Sequence, residues 1–420
     1  MRMPPSGHAG NNVFRYDHRG RRLVHVFFIV NTSVDIIGFS FCAGTRTFNF
    51  LAEFARPLPE RKHGAAQAQR VRFPSVHMEV NIENFEALRD YLTQHGHIHS
   101  IDTVSFEKLT GGISNRTVKV TWPDGHGWVL KQALAKLRVS VDWFSNPERI
   151  GVEARALRWL NRSAPQGTTP SFIFEDTANH LLAMEAIPNE HENWKTVLLA
   201  GRIVPEHFEQ FGLLLGAVHR QSSKSRSNVR KKFADTSHFE SLRLEPYYLY
   251  TAKKTPAAAG FLQALAQDTL LHKHCLVHGD FSPKNTLIYR GKLILLDYEV
   301  FHFGEPAFDV GFALAHFLSK AHHSPKDRAR LVSATILFVE VYRREIASLE
   351  WAGSLEPRLV RHALGCSLAR VAGKSPLEYL TPLEVARQQA ALLQLIANPP
   401  SSVEYMVAQF IQKIEAYAKD

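Results

Sequence analysis

"LVHGDFSPKNTLIYRGKLILLDYEVFHFGEPAFDVGF" spans residues 276–312 and concentrates most of the candidate chemistry of the chain. Asp280 follows His-Gly, and Asn285 comes five residues later. Asp297 and Glu299 follow a second apolar run. Carboxylate and amide oxygens are the ligands that a hard cation such as Mg²⁺ prefers. This stretch therefore predicts a polar site built around two short strands.

The bulk composition indicates an ordinary folded protein. The 420 residues are enough for two lobes or domains, and a hydrophobic content of 45% with 21% charged residues is typical of soluble globular chains. Only three cysteines occur, at positions 42, 275 and 366, and they form no disulfide framework or metal-binding spacing. We therefore expect a reducing compartment, the cytoplasm.

The net charge of +10 is unevenly distributed along the chain. Residues 1–77 carry +7 of it, so the remainder is nearly neutral and nucleic-acid binding is not expected. These 77 residues are predicted to be a basic, disordered extension, with Met78 as an alternative start of the protein. Their apolar stretch 23–44 contains Asn31 and Asp35 near its centre, which argues against a membrane anchor. No membrane association is therefore expected.

Residues 78–187 are predicted to form a β-rich lobe with an initial helix. Apolar residues recur at helical spacing after Met78, and two pairs of alternating segments then read as hairpins. The Pro-Asp-Gly turn at 123–125 marks the first hairpin, and Lys131 falls on its second strand. The amphipathic segment that follows places Glu153 on a helix.

Residues 188–420 are predicted to be a mainly helical lobe. Gly212 and Gly216 stand four residues apart on a long helix, where another element could pack closely. The opening stretch interrupts this pattern with short strands. A small β lobe followed by a large helical lobe gives an α+β fold class.

The order of the candidate groups is more informative than any one of them. A lone Lys or Glu is most often a solvated surface charge, and a Gly-Gly pair is most often only a turn. Phosphoryl transfer, however, depends on positioning and charge neutralisation by a defined set of parts. That set occurs here in order, as the Gly111-Gly112 turn, Lys131, Glu153, Asp280, Asn285 and Asp297.

These motifs carry a resemblance to a known superfamily. "HGDFSPKN" followed by "LLDYE" resembles the catalytic and metal motifs of the aminoglycoside phosphotransferase and choline kinase superfamily, which has a protein-kinase-like, two-lobed fold. Within it, "VLKQALAKLRV" (129–139), "RIGVEARAL" (149–157) and "FGEPAFDVG" (303–311) are similar to the methylthioribose kinase family. That family has paired arginines where this chain has Ala369-Arg370, so the sugar acceptor is left open.

The resemblance implies a role for each candidate residue and implies ATP and Mg²⁺ as cofactors. Asp280 would accept or orient the proton of the attacking hydroxyl, and Asp309 would brace its loop. Metal binding would fall to Asn285, Asp297 and Glu299. Nucleotide binding would fall to Gly111, Gly112, Ser114, Asn115, Lys131, Glu153, Glu185 and Ala186.

The acceptor is predicted to be a small molecule with a hydroxyl group, such as a sugar. Its candidate contacts are Tyr247, Tyr248, Arg370 and Lys374. An aminoglycoside, choline or homoserine-type kinase and a nucleotide-binding pseudokinase remain alternatives. A protein kinase is disfavoured because no Ala-Pro-Glu segment follows Asp297. Homodimerisation is left open.

Overall fold

The structure is a computed structural model of the chain. It describes residues 80–110, 112–139 and 142–417, together with the backbone of two short segments nearer the start. The chain divides into two units, Met1–Ser75 and Val76–Asp420. In the described part of the chain, no helix is both long and apolar enough to cross a membrane.

The two short segments of the first unit form an antiparallel hairpin. Strand β1 (Ile36–Ala43) pairs with β2 (Arg46–Glu53), with Ile36 opposite Glu53. The hairpin covers sixteen positions of the predicted extension, and disorder over residues 1–77 stays a prediction. The sequence of these sixteen positions alternates Phe with small or polar residues, a pattern that favours strands. The rest of the extension lies outside the described residues.

The β-rich lobe is a five-stranded antiparallel sheet with strand order β3-β4-β5-β7-β6. Leu88 and Leu92 of its first helix pack with Val118, Val120 and Leu130 of the sheet in one apolar cluster. Both predicted hairpins and both predicted helices are confirmed. The elements are α1 (Phe85–Gln94), β3 (Ser105–Lys108), β4 (Asn115–Thr121), β5 (Gly127–Ala133), α2 (Arg149–Ser163), β6 (Phe172–Asp176) and β7 (Leu181–Glu185).

The helical lobe begins after the sheet ends at Glu185. Its first half contains a ten-residue π-helix, Glu240–Leu249, with Pro246 inside it. The strand and α-helices of this half are β8 (Glu192–Asn193), α3 (Trp194–Leu199), α4 (Pro205–Lys224), α5 (Arg226–Lys232), α6 (Ser237–Phe239), α7 (Tyr250–Lys254) and α8 (Ala259–Leu271).

Short strands and then five helices complete the lobe. Strand β9 pairs with β12, and β10 pairs with both β11 and β8. The elements are β9 (Cys275–Val277), β10 (Thr286–Tyr289), β11 (Lys292–Leu295), β12 (His302–Gly304), α9 (Ala307–His323), α10 (Arg328–Ile346), α11 (Glu356–Ala372), α12 (Pro382–Ala397) and α13 (Val403–Ala416).

Close packing of α4 against α10 explains the two glycines on the long helix. A Cβ atom on Gly212 would lie 2.7 Å from the carbonyl oxygen of Phe338, a distance that real Cβ atoms do not adopt. One turn further on, a Cβ atom on Gly216 would likewise lie too close to the Cβ atom of Glu345. The prediction of a close approach at this glycine pair is confirmed. This approach fixes α4, against which the short strands pack, relative to α10.

Candidate active site

A cavity of about 780 Å³ lies between the sheet and the short strands of the helical lobe. It brings together residues that the sequence separates by more than 250 positions. Of the predicted site residues, those that line the cavity are Gly112, Ser114, Asn115, Lys131, Glu185, Ala186, Tyr247, Asp280, Asn285, Asp297, Glu299 and Arg370. Gly111 lies outside the described residues.

Lys131 joins two carboxylates across the cavity. Its Nζ donates to Glu153 Oε1 at 2.7 Å and to Asp297 Oδ1 at 2.8 Å. Burial opposes the charge of this ammonium group, but Asp297 and Glu153 outweigh it and raise the pKa of Lys131. Burial would likewise raise the pKa of Asp297, yet the charge of Lys131 lowers it. Glu153 is fully buried, and its burial raises its pKa.

Asp280 lies in the loop after β9. Hydrogen bonds hold the backbone of this loop on one side and the Asp280 carboxylate on the other. Asp309 accepts the backbone N–H groups of His278 and Gly279 at 2.7 and 2.8 Å, as expected of a residue that braces this loop. Asn285 Nδ2 donates to Asp280 Oδ2 at 2.7 Å, and an Arg243 guanidinium nitrogen lies 2.9 Å from the same oxygen. One carboxylate oxygen is thus fixed, and the side chain is oriented towards the cavity.

The donor set at Asn285 and Asp297 fits Mg²⁺ shared with phosphates. No group of three or more His, Cys, Asp or Glu side chains is arranged to hold a metal alone in the part of the chain described. Mg²⁺ in kinases is usually held by one or two carboxylates together with substrate phosphate oxygens. Asp297 also has a φ of +70°, a strained conformation that costs about 1–3 kcal/mol and is typical of functional sites.

Glu299 has a structural partner that the sequence did not predict. Its Oε2 accepts from Arg149 Nε at 3.0 Å and from Asn115 Nδ2 at 3.2 Å. Arg149 is fully buried, and it also donates to the backbone carbonyl groups of Ser114 and Leu134. Glu299 therefore ties the predicted phosphate-binding turn to the helical lobe. Its role as a metal ligand stays a prediction.

Glu185 and Ala186, which are predicted to contact the nucleotide, line the cavity. The backbone N–H of Glu185 donates to Ser171 at 2.9 Å, and that of Ala186 donates to Gly127 at 2.8 Å. Both groups are thus used inside the protein, because the sheet continues through this segment. A contact of this segment with the nucleotide stays a prediction.

Two of the four predicted acceptor contacts lie away from the cavity. Tyr248 is fully buried, and its hydroxyl bonds His362 Nδ1 at 2.8 Å. Lys374 Nζ pairs with Glu245 at 2.9 Å and does not line the cavity. Tyr247 and Tyr248 are adjacent on the π-helix, so their side chains point in different directions and only that of Tyr247 reaches the cavity. Only Tyr247 and Arg370 remain as candidate acceptor contacts.

Several cavity residues escaped the sequence analysis. Arg243, which pairs with Asp280, Lys284, which precedes Asn285, and His316 all line the cavity. Lys284 could have been found, because it lies inside the "HGDFSPKN" motif. Neither the π-helix that carries Arg243 nor the bridge from Arg149 to Glu299 has a recognisable spacing signal.

This two-lobed arrangement, with a small sheet over a helical lobe, is a protein-kinase-like α+β fold. A solved amicoumacin kinase, hAmiN, in complex with AMP-PNP, Ca²⁺ and Ami, shares it with a TM-score of 0.51 at 16% identity. The similarity covers 75% of this chain and 95% of that one, and at this identity it shows the fold alone. The chain belongs to the APH phosphotransferase enzyme family, whose model matches residues 105–344.

Curated relatives of known activity are also similar to the chain. Methylthioribose kinase of Pectobacterium carotovorum is 27% identical over 256 residues, which cover 54% of this chain and 64% of the relative. Methylthioribose kinase of Klebsiella pneumoniae (strain 342) is 26% identical over 243 residues, covering 52% and 60%. The chain thus spans less than two thirds of the length of these relatives.

Proposed function

We propose that this chain is an ATP- and Mg²⁺-dependent kinase that phosphorylates a hydroxyl group of a small molecule. The observation that carries the proposal is that Lys131 and Asp297 line one cavity with Asp280 and Asn285, while the buried Glu153 holds Lys131 from behind. These are the parts that phosphoryl transfer requires. The cysteines described, Cys275 and Cys366, are free and buried, which supports a reducing location such as the cytoplasm.

Each residue would have a distinct role in phosphoryl transfer. Lys131 and Lys284 would neutralise phosphate charge, and Asn285 and Asp297 would hold Mg²⁺, which stabilises the charge on the transferring group. Asp280, fixed through Oδ2, would use its other oxygen to take the proton of the acceptor hydroxyl. The new O–P bond would form as the bond between the γ-phosphorus and the ADP oxygen breaks.

The test is ADP formation from ATP with a panel of hydroxyl compounds, with Mg²⁺ present or removed by EDTA. Methylthioribose belongs first on the panel, because two similar relatives carry that name. We expect ADP formation to depend on both Mg²⁺ and one acceptor class. Binding of Mg·ATP without acceptor-dependent ADP formation would instead support the pseudokinase alternative.

A further inference from the structure

The end of the cavity beyond Asp280 contains a buried cationic group of residues, the Arg370 cluster. It comprises Tyr247, His316, Lys320, Arg370 and Ser375. Arg370 is 6% exposed, His316 is 2% exposed and Lys320 is 1% exposed. Arg370, His316, Tyr247 and Ser375 line the cavity itself, and Lys320 lies behind them and contacts the His316 carbonyl group.

The nearby carboxylates already have cationic partners. Asp280 pairs with Arg243 at 2.9 Å, and Glu378 pairs with Lys195. Arg370 and Lys320 have no carboxylate within ion-pair distance among the described residues. A buried charge without a partner is costly, so this end of the cavity favours negative charge from elsewhere.

Hydrogen bonding leaves the same cluster incomplete. Arg370 donates from one guanidinium nitrogen to the Tyr247 hydroxyl at 2.8 Å and to Ser375 Oγ at 3.2 Å. Arg370 Nε and His316 Nδ1 are buried without a hydrogen-bond partner among the described residues. Burial and then the neighbouring cations lower the pKa of Lys320 to about 7 and lower that of His316. The unbonded Nε of the charged Arg370, with cations and no carboxylate around it, is the observation that favours an anion here.

We propose that the acceptor carries an anionic oxygen group, a carboxylate or a phosphate, which binds at Arg370 while its hydroxyl faces Asp280. This inference rests on the proposed kinase function and names the class of acceptor. The planar guanidinium group suits both carboxylate and phosphate, and the Tyr247 and Ser375 hydroxyl groups add short polar contacts. A cationic aminoglycoside or choline would be repelled by the same residues.

Thermal unfolding of the full chain with saturating Mg²⁺ and AMP-PNP tests the proposal. The nucleotide occupies the phosphate-binding end, so added probes report on the other end. The probes are inorganic phosphate, glycolate and its neutral analogue glycolamide, at equal ionic strength. We expect phosphate or glycolate to raise Tm and glycolamide to leave it unchanged, and the stronger of the two anions identifies the anionic group.

Arg370→Gln should raise the anion concentration needed for half of the Tm shift by about tenfold or more. Arg344→Gln, a change at an exposed arginine on α10, is the matched control and should behave like the wild type. Tyr247→Phe keeps all charges but removes one hydroxyl contact. It replaces Arg370→Gln in the test if that variant does not fold, and it should also weaken the anion response. An intact AMP-PNP shift with no anion response, or an anion response unaffected by these changes, overturns the inference. Absence of any AMP-PNP shift in the wild type contradicts the kinase function instead.

Discussion

Lys131 Nζ lies 2.8 Å from Asp297 Oδ1, and this contact joins strand β5 of the small sheet to the loop after β11 in the helical lobe. Glu153 on α2 holds the same ammonium group from the other side at 2.7 Å. The lobes therefore meet through a triad of two carboxylates and one cation, of which Glu153 is fully buried and the other two are partly exposed. This triad is also the point at which nucleotide phosphates and metal are proposed to bind.

Lys131→Met should destabilise the protein as well as inactivate it. The substitution leaves Glu153 buried without its cation, and breaking such a pair typically costs about 3–5 kcal/mol. Urea unfolding measures the loss, and Lys136→Met, at an exposed lysine of the same lobe, is the control. Adding Glu153→Gln should restore part of the stability. A Lys131→Met protein as stable as the wild type would show that the triad does not join the lobes.

Asp280→Asn should lower kcat by at least ~10²-fold, because an amide cannot take the hydroxyl proton. Binding of Mg²⁺ and AMP-PNP should stay near normal, since the Lys131 triad is untouched. Steady-state ADP formation and nucleotide titration give the two quantities. Asp142→Asn, an exposed residue paired with Lys136, is the control. Near-normal turnover of Asp280→Asn would remove this residue from the proposed chemistry.

Neutralising Asp297 should change mainly the Mg²⁺ requirement, whereas neutralising Glu299 should change mainly the thermal stability. Asp297→Asn should greatly raise the Mg²⁺ concentration needed for activity, because it removes a proposed ligand. Glu299→Gln should mainly lower Tm, because the fully buried Arg149 loses its ion-pair partner. Mg²⁺ titration and thermal unfolding of both variants separate the effects. A Glu299→Gln protein with normal Tm and a raised Mg²⁺ requirement would establish Glu299 as the ligand instead.

Lys320 should make stability depend on pH. Its pKa falls from 10.5 to about 7 on folding, so between these values the unfolded chain binds more protons and stability rises with pH. Lys320→Met should therefore stabilise the protein most below about pH 7. The gain in free energy of unfolding of Lys320→Met over the wild type should shrink by about 2–3 kcal/mol between pH 6.5 and pH 9. Urea unfolding at both pH values measures this difference, and a pH-independent or destabilising effect would contradict a buried Lys320 that lacks a carboxylate partner.

A chain that begins at Met78 should keep the Tm and nucleotide binding of the full chain. All described site residues belong to the unit Val76–Asp420, and residues 1–77 carry +7 of the +10 charge. The two proteins can be compared by thermal unfolding, ADP formation and cell fractionation. A lower Tm of the shorter chain, or membrane partition of the full one, would assign the apolar stretch 23–44 a structural or anchoring role.

The sequence predicted the parts of the site that depend on regular elements. Alternation and a Pro-Asp-Gly turn placed Lys131 on its strand, and helical periodicity placed Glu153 on α2. The family motif ordered Asp280, Asn285 and Asp297. Such features are local, so they can be recognised without knowledge of tertiary packing.

The acceptor end could not be predicted in the same way. Arg243 and Tyr247 reach the cavity from a π-helix, whose irregular turn breaks the 3.6-residue period used to assign faces. Lys374 was expected in the site but pairs with Glu245, a partner 129 positions away. His316 and Arg370 meet only because α9 packs against α11. These contacts are set by tertiary structure.

The most direct test of the kinase function is ³¹P NMR of the full chain with ATP, Mg²⁺ and each acceptor in turn, beside the Asp280→Asn variant. We predict a phosphate monoester signal on one class of acceptor, growing as the γ-phosphate signal of ATP declines. That signal should be absent with Asp280→Asn. Release of inorganic phosphate alone, or the same monoester at the same rate from Asp280→Asn, would contradict this prediction.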